Sequence, residues 1–125
     1  MNDYEKNCYI FIKKLSKELA QDFDTQYQGM DSFARWNLPE EIALEWIDAE
    51  GIIKVLEDSC CVSKNILFLL RLILNRFVLE FKKQNNQVWT FDSMKTDVFW
   101  CEQRLIAQEV LNILEQSEDS SVIDS

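Results

Sequence analysis

Histidine is absent from this 125-residue chain, and glycine and proline are nearly so, with two and one. Without histidine there is no side chain whose ordinary pKa lies near neutrality. The usual general base, the usual activator of a nucleophile and the commonest zinc ligand are all missing. Two glycines cannot build a phosphate-cradling loop, and a sheet protein needs turn residues every 8–12 positions or so. Long helices joined by polar connections suit this composition better. Four cysteines (Cys8, Cys60, Cys61, Cys101) include no Cys-x-x-Cys pair, and adjacent Cys60 and Cys61 cannot chelate one metal as a zinc knuckle does. They read as free thiols in a reducing cytoplasm, mostly serving as small apolar side chains. No apolar signal segment follows the charged N-terminus.

What is present is acid. There are 22 acidic residues against 13 basic ones, a formal net charge of -9, which makes nucleic acid and anionic membrane poor partners. The excess is uneven: residues 31–58 carry -6, residues 59–95 carry +4, and residues 96–125 again carry -6. An apolar share of 47% is ordinary for a globular protein, and the length suits one domain. The expected fold is all-α: a single-domain helical bundle over residues 1–116 with a mobile acidic tail at 117–125.

Periodicity places the helices. Tyr4, Cys8, Ile12, Leu15, Leu19 and Phe23 recur at steps of three and four, which predicts a helix from Asp3 to about Phe23. A loop over Asp24–Met30 follows, then a single turn through Trp36 capped by Asp31 or Ser32. Pro39 opens a helix whose first turn holds Glu40 and Glu41, where the helix dipole favours negative charge. Gly51 either ends that helix or lies inside one reaching Asp58. Ile52–Glu57 also leaves a short strand open, pairing with Val88–Phe91. Ser63 caps the strongest helix, Lys64–Lys83, whose sixteen residues from Ile66 to Phe81 include only four polar ones. Apolar residues on nearly every side mark a buried central helix, while three charges argue against a membrane span. Arg71 and Arg76 on it need charge partners. Gln84–Gln87 reads as a polar connection. A last helix runs from Met94 to about Gln116, with Val98, Cys101, Leu105, Phe99, Ile106, Val110 and Ile113 as its apolar face.

The candidate site is the acidic helix. Glu41, Glu45 and Asp48 share one face at i, i+4 and i+7, opposite the apolar Ile42, Trp46, Ala49 and Ile53. Like charges at that spacing repel by a few tenths of a kcal/mol per pair, so the arrangement works against helix stability. A solvated face that aids solubility accounts for it as simply as a surface that docks on a basic partner. The docking reading takes Glu40, Glu41, Glu45, Asp48, Glu50 and Trp36 as contacts, with no catalytic, metal or cofactor residue. Trp46 and Trp100 fall at core positions; Trp36 and Trp89 lie in short segments.

The stretch Trp36-Asn37-Leu38-Pro39-Glu40-Glu41-Ile42-Ala43-Leu44-Glu45-Trp46, within a small acidic histidine-free chain, resembles the immunity proteins of bacterial toxin–immunity systems, including those of contact-dependent growth inhibition. That resemblance implies a cytoplasmic protein that binds one cognate toxin, often a nuclease with a basic active site, and blocks it without chemistry. The alternatives are a cytosolic chaperone for a secreted effector and a phage-encoded inhibitor or nucleic-acid mimic. Oligomeric state is left open.

Overall fold

The N-terminal helix stops where backbone carbonyls find side-chain donors. In a computed structural model describing residues 1–30, 34–83 and 86–124, α1 spans Asp3–Ala20. Asn2 and Glu5 form a reciprocal cap at its start: the Asn2 side chain accepts from the Glu5 N–H and the Glu5 carboxylate from the Asn2 N–H. At its end Gln26 Nε2 donates to the carbonyls of both Glu18 and Leu19 at 3.1 Å. Asp22 caps a separate short helix, α2 (Phe23–Gly29), by accepting from the Thr25 N–H. The chain therefore does not run as one helix to Phe23, and the expected loop at 24–30 is helical. The proposed Asp31 and Ser32 cap lies outside the described residues.

A 3-10 turn (Ala34–Asn37) leads into α3 (Leu38–Asp48), with proline in its first turn as expected. Gly51 does not end α3; it lies inside a helix that reaches past Asp58, as the second expectation has it, but that helix is separate from α3. The break comes earlier, at Ala49, whose N–H donates to Trp46 and Ile47 carbonyls, and Gly51 lies in the first turn of α4 (Glu50–Ser59). Ile52–Glu57 is thus helical, and Asn86–Val88 forms a 3-10 turn. No strand occurs among the described residues. α4 ends on Cys60 in the left-handed region, φ 56°, a conformation disfavoured for a side chain with a Cβ. Ser63 caps α5 (Lys64–Lys82) as expected, accepting from the Ile66 N–H.

The final helix divides as well. Thr90 caps α6 (Phe91–Thr96), accepting from the Ser93 N–H. Asp97 then accepts from the Phe99 N–H, and α7 runs from Val98 to Asp124. It does not stop at Gln116: Glu118 accepts from Tyr9 Oη at 2.7 Å and pairs with Lys13 Nζ at 2.8 Å, holding the helix against α1.

The core fills the space among α1, α3, α4, α5 and α7. Its largest buried side chains are Trp46, Trp100 and Phe77, with Ile12, Leu19, Ile53, Leu70 and Ile73 around them. Trp100 Nε1 donates to the Val88 carbonyl at 2.7 Å, so this buried indole is satisfied and ties the 3-10 turn to α7. Trp89 stacks on Phe81 with centroids 4.4 Å apart. Both arginines of α5 find partners: Arg71 with Glu57 at 3.2 Å, Arg76 with Glu102 at 3.6 Å and with Gln103 Oε1. Gln103 is buried and also donates to the Ile73 carbonyl. The apolar face of α7 is narrower than expected. Phe99 and Val110 face inward, whereas Val98, Cys101 and Leu105 are exposed, because Trp100, Gln103, Ala107 and Leu114 occupy the inward side.

Burial separates the two tryptophans that flank the acidic residues. Replacing Trp46 with alanine is expected to lower stability by about 3–5 kcal/mol, and replacing Trp36 by less than about 0.5 kcal/mol. Urea denaturation followed by circular dichroism measures both.

A candidate acidic binding face

Trp36 is 83% exposed, the most exposed large apolar side chain among the described residues. Its neighbour anchors the turn that carries it. Arg35 donates through Nε to the Tyr27 carbonyl at 2.9 Å and through Nη2 to that of Gln28, and its guanidinium lies 5.1 Å from the Tyr27 ring centroid. The indole therefore stands on a fixed backbone, at the edge of a hollow of about 310 Å3 lined by Tyr27, Arg35 and Phe91.

From that turn α3 carries the carboxylates past α1. Its buried side holds Leu38, Ile42, Ala43 and Trp46, which fixes its rotation and sends Glu41, Glu45 and Asp48 to other sides. Those three are not equivalent. Asp48 is exposed, while Glu41 and Glu45 are half-buried. The six expected contact residues differ in setting: Trp36 precedes α3, Glu40 is half-buried, and Glu50 lies on α4, beyond the Ala49 break.

Packing of α3 on α1 brings Glu18 against Glu45, a neighbour no local pattern could disclose. Burial pushes the Glu45 carboxyl up to about 7, and the charge and hydrogen bond of Glu18, then the charge of Glu41, push the same way; Lys14 opposes them. A proton on Glu45 is thus shared towards Glu18. Among the described residues none of Glu18, Glu41 and Glu45 has a lysine or arginine nitrogen within 4.0 Å. The cluster is a locus of negative charge that Lys14 offsets only in part and at a distance, and it is partly screened from water.

Its chemistry is limited by space. A carboxyl titrating near 7 has the pKa of a general acid or base. The hollow beside it, lined by Glu18, Gln21, Gln26, Met30 and Ile42, measures only about 100 Å3, against roughly 300–1,000 Å3 for ordinary ligand pockets. No group of three or more potential metal ligands occurs among the described residues, and no helix there is long and apolar enough to cross a membrane. Cys60 and Cys61 face different hollows. Cys60 borders an apolar groove of about 610 Å3 between α4 and α5, whereas Cys61 Sγ lies 2.6 Å from Ser59 Oγ.

The sign of the pH effect follows from a folded-state pKa above the unfolded one. The favourable contribution is complete below about 4.5 and is lost as pH rises through about 7. Glu45→Gln is therefore expected to stabilise the protein at pH 8 by on the order of 1 kcal/mol, after allowing for solvent screening, and to change little at pH 4. Urea titrations at both pH values measure the difference. Set beside family models, curated proteins and solved structures, the chain matches none of them.

Proposed function

We propose that this chain is a non-catalytic immunity protein, which neutralises a cognate bacterial toxin by covering its basic active site with the α3 face. The observation that carries this reading is the set Glu18, Glu41 and Glu45, none of which has a lysine or arginine within ion-pair distance among the described residues, beside an exposed Trp36 on a turn tethered by Arg35. Repulsion among carboxylates is relieved when a lysine or arginine docks between them, so the strain of the free protein becomes affinity in the complex. A toxin that cleaves nucleic acid presents such bases around its cleft. Occupying them with carboxylates denies the substrate phosphates their place, and Trp36 supplies an aromatic anchor at the rim. Exposed Asp48 adds to the field that steers encounter.

A second reading, a cytosolic chaperone for a secreted effector, is favoured by the groove between α4 and α5. That groove is lined mainly by apolar side chains, including Val62, Leu67 and Phe68. A chaperone complex dominated by such contacts responds weakly to salt, whereas one built on the acidic face weakens steeply.

The test starts from the neighbouring reading frames, where this proposal expects a toxin-like domain, and uses that domain as the partner. Calorimetry should give a one-to-one complex, and stopped-flow fluorescence an association rate that falls with ionic strength. Glu41→Lys combined with Glu45→Lys should weaken it by far more than tenfold, and Trp36→Ala by about tenfold. Nuclease activity restored by those variants supports the proposal. Unchanged affinity, or turnover of a small substrate by the purified chain, overturns it.

A further inference from the structure

Two neighbouring helices carry apolar side chains away from the core on the same side of the bundle. α5 and α7 run antiparallel, since Ile73 and Arg76 meet Gln103 while Phe77 meets Phe99 and Trp100. On α5 the buried positions are Ile66, Leu70, Ile73, Leu74 and Phe77. At about 100° per residue, Phe68, Leu72 and Leu79 lie opposite them. On α7, Val98 and Leu105 lie opposite Trp100, Gln103, Ala107 and Val110 in the same way. Each helix meets the other on a flank between these two directions, so both outward faces look the same way. Phe68 is 67% exposed, Leu79 57%, Val98 67% and Leu105 64%.

The two helices are of opposite charge. α5 holds four bases and one acid; α7 holds six acids and one base. Two bases of α5 are already engaged, Arg71 by Glu57 and Arg76 by Glu102, and on α7 Glu102 and Glu118 are engaged in turn; exposed Lys64 on α5 and exposed Glu109 and Glu115 on α7 have no ion-pair partner among the described residues.

We propose that the outward face of α5 and α7 is the docking surface for a second copy of this chain, forming a two-fold dimer in which α5 of each protomer lies across α7 of the other. A two-fold axis parallel to the helices produces this pairing. It sets the basic helix against the acidic one twice, and the apolar stripes close on each other between them. An arrangement with α5 on α5 brings bases together and is selected against. With about 1.5 Å per residue, α5 is roughly 28 Å long, and two helices side by side are roughly 20 Å wide. Such a face buries roughly 1,100 Å2 in total, at the lower end of specific interfaces, which implies a reversible dimer with Kd in the micromolar range. The antiparallel register puts Lys64, on the outer rim of α5, level with Glu115 of the partner subunit.

Sedimentation equilibrium of the full chain, under reducing conditions to exclude disulfide-linked species, tests the proposal. From about 1 to 200 µM the mass should rise from 14.8 kDa towards twice that value. Leu105→Asp, at an exposed position, should keep the helical spectrum and raise the dissociation constant by at least about tenfold. Lys64→Glu and Glu115→Lys should each weaken self-association by about tenfold, because two attractive pairs become repulsive. Mixing these two variants should restore a heterodimer of wild-type affinity, since each then meets its opposite charge. A chain that stays monomeric at 200 µM overturns the proposal. So does a dimer indifferent to Leu105→Asp, and failure of the mixture to recover affinity overturns the α5-across-α7 arrangement.

Discussion

The corners of this bundle depend on side chains that hydrogen-bond to helix ends, and Arg104 is the central one. Its guanidinium, half-buried on α7, donates to the Gln21 carbonyl where α1 ends, to the Met94 carbonyl in α6, and to the side-chain oxygen of Gln26 in α2. Gln26 in turn passes its own protons to the last carbonyls of α1. Four helix segments are thereby joined through two polar side chains. Burial works against the positive charge of Arg104, and Asp22 nearby supports it. A chain with so little glycine and proline cannot rely on backbone freedom to turn. It relies on these donors, on the caps at Asn2, Asp22, Ser63 and Thr90, and once on a left-handed residue, Cys60.

That dependence explains which parts of the fold were legible in the sequence. The stripe Cys8–Ile12–Leu15–Leu19 is a local signal and is buried as its spacing implies. Ser63 before a long apolar run marks the start of α5, and Trp46 and Trp100 sit in the core where periodicity puts them. The divisions at Gln21, Ala49 and Asp97 were not legible. The first depends on Arg104 reaching across from α7, and apolar spacing continues through all three without a break. The outward face of α7 was missed for a related reason. Its apolar residues go most of the way round, and only packing against α1 and α5 decides which of them are covered.

The candidate site was legible to the same degree. Glu41 and Glu45 were visible as a pair at helical spacing, and Trp36 as a residue in a short segment. Glu18 was hidden within a helix richer in lysine than in acid, and it becomes a partner of Glu45 only when α1 and α3 pack. The result is a surface with three grades of charge: exposed Asp48 and Glu50, half-buried Glu40 and Glu41, and a Glu45 that holds its proton close to neutral pH. Half-burying a carboxylate beside another is unfavourable, so Glu45 is the position of this face that costs the free protein most.

The clasp of Tyr9 and Lys13 on Glu118 has a further consequence for how the molecule comes into being. α1 ends at Ala20 and α7 begins at Val98, yet these helices share the largest helix–helix contact of the bundle. At about 5–20 residues per second a nascent chain leaves α1 waiting roughly 4–16 s for its main companion. Throughout that interval only α3 and α4 are there to cover Cys8, Ile12, Leu15 and Leu19. Packing of the first helix onto α7 therefore has to wait until α7 is made, and it is in that interval that α1 is most open to capture by chaperones or by its own kind.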